Sequence, residues 1–141
     1  MAGGQEADVA RCRPVFDTFA DPVIHLGPLG SGQLDKLLNN FVFTAQVGLA
    51  LDTFSFAEGL GMDRAAVARV LAHGSGGTRA AAILAASDLD TAGLRQALPL
   101  LRKDVGLLLD VADTAESPRP QTLADLAAHT LSTLSAPLEA R

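Results

Sequence analysis

The fifteen residues from Leu37 to Leu51 (LLNNFVFTAQVGLAL) contain no charge, and they lie inside a longer helical pattern running from Ser31 to Gly59. Ser31 is placed to cap its start, and Gly59 or Gly61 to stop it. A helix apolar on nearly every side cannot rest on a surface. It is expected either to be surrounded by other helices or to be half covered by a second copy of the chain. The uncharged run is too short to span a bilayer, and it carries Asn39, Asn40, Thr44 and Gln46, so a membrane is not the expected partner.

The composition fits helical packing. Trp and Tyr are absent and hydrophobic residues make up 48% of the chain, so the core must be built mainly from Leu, Ala and Val. That mixture favours close-packed helices over sheets. Apolar periodicity predicts a helix over Glu6 to Phe19, with a possible kink at Pro14. Further helices are expected from Arg64 to Ala72, capped by Asp63, and from Thr78 or Arg79 to about Ala86. Two more follow, over Leu94 to Thr114 and over Gln121 to Leu134, and the tail SAPLEAR is expected to fray. Between the first helix and the long one, Pro22 to Leu26 (PVIHL) reads as an isolated strand ended by Gly27-Pro28. A lone strand must find its hydrogen-bond partner in another chain or another domain. The expected fold is therefore mainly α: a bundle of about five helices around one long apolar helix (29–141), preceded by a helix-strand segment (1–28).

Several function classes recede on charge and cysteine usage. The net charge is −5, and the basic residues are scattered with no stripe to follow a phosphate backbone, so nucleic acid is not expected as a partner. Cys12 is the only cysteine and cannot form an intramolecular disulfide. The N-terminus has neither the basic region nor the apolar run of a signal peptide, and the chain reads as cytoplasmic. His25, His73 and His129 have no metal-ligand spacing, so no metal site is expected.

Of the 11 basic residues, only Lys36 and Lys103 are lysines. A lysine kept in so Arg-rich a chain can mark a position that needs an amine able to lose its proton, which Arg cannot do. Lys36 falls in the first turns of the long helix, after a turn containing Gly27, Gly30 and Gly32. Asn39 and Asn40 follow at i+3 and i+4, which places one or both on its face. An amine and a carboxamide beside a glycine turn, at the positive end of a helix, suit a small carboxylate ligand. Residue types alone fit equally an ordinary Gly-rich turn with a solvated lysine.

The segment GPLGSGQLDKLLNN resembles the start of the C-terminal helical domain of the β-hydroxyacid dehydrogenases, the family of 3-hydroxyisobutyrate, tartronate semialdehyde and 6-phosphogluconate dehydrogenases. Gly30, Gly32, Lys36 and Asn40 match its Gly-rich turn, Lys, and Asn four residues on. The segment LRKDVGLLLDVA is similar to the family's later Lys-Asp helix, and residues 1–28 look like the last helix and strand of the preceding Rossmann-like domain. The resemblance implies that Lys36 is the general acid/base and that Asn40, with Asn39 and Gly32 beside it, holds the substrate. It further implies that Lys103 reaches an NAD or NADP cofactor, with Asp104 orienting it. An unperturbed Lys pKa of about 10.4 is high for a base near neutrality, so burial or cationic neighbours are expected to lower it. Asp35 is an acidic neighbour, although about 100° around the helix.

Departures narrow the implied chemistry. Where 6-phosphogluconate dehydrogenases place a His and a Glu, this chain has Asn39 and Phe43, which favours a small hydroxy acid such as 3-hydroxyisobutyrate. Imine reductases share the fold but usually replace the lysine that Lys36 matches. No GxGxxG fingerprint follows a strand, and Ser75 to Gly77 reads as a helix-helix turn rather than the family's substrate-gripping Ser-Gly-Gly loop. The expected function is thus the substrate and catalytic-lysine domain of an NAD(P)-dependent oxidoreductase that needs a Rossmann partner for turnover. The competing reading is a non-catalytic helical dimerisation module. Both imply a homodimer through the long helix.

Overall fold

The computed structural model describes residues 1–136 and forms six helices. These are α1 (Glu6–Phe16), α2 (Ser31–Gly59), α3 (Arg64–His73), α4 (Arg79–Ala86), α5 (Ala92–Thr114) and α6 (Gln121–Ser135). The expected fraying of the tail beyond Ala136 falls outside the described residues. No described helix is long and apolar enough to cross a membrane. The chain divides into two compact units, Met1–Asn39 and Asn40–Arg141.

In the first unit, α1 ends at Phe16, three residues short of the expected Phe19, with Pro14 inside its last turn. Val9 and Val23 are its buried apolar residues. The strand expected over Pro22–Leu26 does not form: a single parallel bridge joins His25 to Ala2. Ala2 donates to the Ile24 carbonyl at 2.8 Å and accepts from Leu26 N–H at 2.9 Å. Gly4, at φ 152°, adds one further contact outside the bridge, its N–H donating to the Gly27 carbonyl at 2.9 Å. On this edge the chain's own N-terminus supplies the partner. His25 Nε2 lies 2.9 Å from both the Gly4 and Gly27 carbonyls, which sets it as the protonated, donating nitrogen.

Some helix ends follow their sequence signals and the start of α2 does not. Leu34 N–H bonds the Gly30 carbonyl at 3.0 Å, so α2 starts at Ser31 itself and the cap falls one residue earlier than expected. At its C-terminus Met62 N–H bonds the Ala57 carbonyl at 3.0 Å and Gly61 N–H bonds Glu58 at 2.9 Å. With Gly61 at φ 79°, this is a Schellman stop. Asp63 caps α3 by accepting from Ala66 N–H at 2.6 Å, and Thr78 caps α4 by accepting from Ala81 N–H at 3.1 Å. Between α5 and α6, Arg119 grips Asp113 with two guanidinium nitrogens. Those hydrogen bonds hold the Asp113 carboxyl below its ordinary pKa, and the same partner raises that of Arg119.

The second unit contains two apolar clusters. One gathers Val47, Ala50 and Phe54 of α2 with Ala68, Ala80, Ala81, Leu84, Leu94 and Leu134. The other joins Phe41 and Ala45 of α2 to Leu101 and Val105 of α5 and Ala127 and Leu131 of α6. Small residues set the spacing between helices. A Cβ at Gly48 would overlap the Thr130 hydroxyl, which is itself held by the Leu126 carbonyl at 2.9 Å. Gly48→Val is therefore expected to cost about 1–3 kcal/mol by overpacking. In chemical denaturation its midpoint should fall, and adding Thr130→Ala should recover part of the loss. No recovery would show that the overlap lies elsewhere.

Candidate active site

The first unit holds Lys36. It lies in the second turn of α2, half-buried, and lines an open hollow of about 460 Å³ with Met1, Gly3, Leu29, Gly30, Gly32 and Gln33. Gly30, at φ 97°, makes the turn into the helix. Gly32 is helical, and the backbone that approaches it is that of Ala2 and Gly3, with Gly3 N 3.4 Å from where a Cβ would stand. Gly3 is the tighter partner: a Cβ there would come within 2.7 Å of the Pro28 carbonyl. This hollow thus owes its shape to the N-terminal glycines meeting the start of α2. Asn39 is exposed on α2.

The second unit brings Asn40 to Lys103 and Asp104, which lie far from it in sequence. Asn40 Nδ2 donates to Asp104 Oδ2 at 2.7 Å, across a separation of 64 residues. Lys103 Nζ stands 3.4 Å from the other oxygen, Asp104 Oδ1. Lys103 and Asp104 differ in exposure. The Lys103 side chain is 58% exposed, whereas that of Asp104 is 1% exposed. A buried carboxylate is tolerated only when hydrogen bonds and charge compensate its desolvation, and Asn40 and Lys103 both contribute here. Thr44 donates its hydroxyl to the Asn40 carbonyl at 2.7 Å, tying this turn of α2 internally.

Lys103 and Asp104 were expected as neighbours; the Asn40–Asp104 bond was not. A partial signal existed in the sequence. Asp104 lies three residues after Leu101 and four before Leu108, inside the apolar stripe of α5, where a carboxylate requires a partner. Nothing in the sequence named Asn40 as that partner.

The Rossmann mode of dinucleotide binding holds the pyrophosphate where a strand leads through a glycine turn into a helix. Among the described residues no such construction occurs. Lys103, a largely exposed ammonium seated on a buried carboxylate, fits a single contact with the anionic edge of such a cofactor.

Comparison with known proteins gives the family. Residues 30–140 match the family described as NAD-binding of NADP-dependent 3-hydroxyisobutyrate dehydrogenase. The chain belongs to this family, within the β-hydroxyacid dehydrogenases. A probable 3-hydroxyisobutyrate dehydrogenase of Mycobacterium tuberculosis is 36% identical over 76 residues, covering 54% of this chain and 26% of the relative. The 3-hydroxyisobutyrate dehydrogenase of Pseudomonas aeruginosa is 27% identical over 129 residues, covering 85% of this chain and 43% of the relative. The NAD-dependent L-serine dehydrogenase of the same organism is 26% identical with the same coverage. The chain spans less than half the length of these relatives.

Proposed function

We propose that this chain supplies the substrate-binding and proton-transfer half of an NAD- or NADP-dependent oxidoreductase acting on a small hydroxy acid such as 3-hydroxyisobutyrate. Residues 1–28 are read as the last helix and strand-like segment of a dinucleotide-binding domain, and 29–141 as the helical domain. Turnover requires the remainder of that dinucleotide-binding domain, on the same polypeptide or on another. The observation that carries the reading is the buried Asp104 carboxylate, which joins Asn40 to Lys103. These are the two residues that the family pattern puts on separate helices beside its substrate and its cofactor.

Each residue then has a distinct task. The nicotinamide, when bound, accepts or returns the hydride. Lys36 Nζ takes the proton of the substrate hydroxyl in oxidation and gives it to the carbonyl oxygen in reduction. Asn40 hydrogen-bonds the substrate, with Asn39 and Gly32 at its margin, while the positive end of α2 favours the carboxylate. Lys103 meets the cofactor, and Asp104 holds it there. Self-association through α2 belongs to the same reading, and the exposed Leu49 and Phe56 on that helix support it.

Because the chain has only two lysines, their amines can be followed separately. Reductive methylation read out by mass spectrometry is expected to slow at Lys36 when 3-hydroxyisobutyrate is present and to stay constant at Lys103. Equal modification of Lys36 with and without the hydroxy acid would remove Lys36 from the substrate site.

A further inference from the structure

We infer that Asp104 is a positioning residue that fixes the orientation of the Asn40 carboxamide towards the substrate, in addition to its contact with Lys103. The inference rests on the reading of Asn40 as a substrate-binding residue.

An asparagine amide has two nearly isosteric orientations, with nitrogen and oxygen exchanged. On its own, Asn40 could therefore offer a ligand either end. Asp104 removes that choice. A carboxylate only accepts, so at 2.7 Å it must face Nδ2, since the flipped amide would set two oxygens against each other. Asp104 is fully buried, so water is poorly placed to take over the contact. Asn40 is half-buried, and the Thr44 hydroxyl on its carbonyl ties the backbone turn that carries it.

What a ligand meets follows from this. One N–H of Nδ2 is committed to Asp104, the second N–H remains a donor in a fixed direction, and Oδ1 remains an acceptor in another. The reacting hydroxyl has a single proton, and Lys36 takes it. Asn40 can therefore address that oxygen only as a donor, through its remaining N–H. Its Oδ1 is left for a second donor on the ligand, such as a hydroxyl or ammonium on the neighbouring carbon. Asp104 thereby turns a symmetric-looking amide into a directional reader of small hydroxy acids.

The test is a double-mutant cycle on ligand binding by the chain itself, with 3-hydroxyisobutyrate and L-serine titrated by calorimetry. Asn40→Ala and Asp104→Asn should each weaken binding of the better ligand by about tenfold. The double variant should be no weaker than either single one, because Asp104 acts through Asn40. A merely structural Asp104 would give multiplying effects, which would overturn the inference while leaving Asn40 as a binding residue. If the wild-type chain binds neither ligand, the reading of Asn40 fails, and the amide orientation is decided separately by NMR. The Asn40 side-chain N–H signals should be resolved and protected from solvent exchange in the wild type, and lose that protection in Asp104→Asn. An Asn40 amide that exchanges as freely as an exposed one in the wild type would overturn the inference whatever the ligand does. That wild-type measurement also decides the matter if Asp104→Asn fails to fold.

Discussion

Replacing Lys36 with alanine is expected to lower kcat for hydroxy acid oxidation by about 10²- to 10⁴-fold, the range that a positioned general acid/base contributes. The assay joins this chain to a dinucleotide-binding domain of its family and follows nicotinamide reduction. Lys36→Arg should fail almost as badly although it keeps the positive charge, because a guanidinium does not release its proton near neutrality. Small primary amines added to Lys36→Ala should restore part of the rate by standing in for the missing Nζ, and should leave Lys36→Arg unchanged. If Lys36→Arg retained full activity, charge rather than proton transfer would explain the residue.

Phe54→Ala should have the largest effect on stability, a loss of about 3–5 kcal/mol. Phe54 is fully buried in the cluster that gathers residues from α2, α3, α4, α5 and α6. Removing the ring forfeits its transfer energy and leaves a cavity that five helices cannot all close. Against a typical domain stability of about 5–15 kcal/mol, such a loss takes much of the margin. Phe56, two residues along the same helix, is 69% exposed. Its replacement by alanine should cost much less than Phe54→Ala, because no core packing within the chain is lost. Urea denaturation of the two variants measures both, and equal midpoints would mean that the face of α2 assigned to the core is wrong.

The helices were legible because their signals are local. Asp63 and Thr78 cap α3 and α4 as their residue types require, and Gly61 closes α2 with the positive φ that glycine adopts freely. Residues of the uncharged stretch from Leu37 to Leu51 enter both apolar clusters. Pro22 to Leu26 misled because β propensity describes a pleated, half-buried surface, and here a single bridge to Ala2 is all that pairs beside it. That Lys36 and Asn40 stand four residues apart on α2 was legible in the sequence. The Asn40–Asp104 bond was not, because it depends on how two helices meet 64 residues apart. The same holds for Gly48 against Thr130, where the close approach is a property of packing and leaves no mark in either local sequence.

The most direct test of the central claim is whether this chain completes a dehydrogenase. The chain, a dinucleotide-binding domain of its family, NAD or NADP, and 3-hydroxyisobutyrate or another small hydroxy acid are mixed, and nicotinamide reduction is recorded. Reduction is expected in the complete mixture and should disappear when either protein component is left out. Reduction that proceeds equally without this chain, or none in the complete mixture with any of the hydroxy acids, would contradict the account.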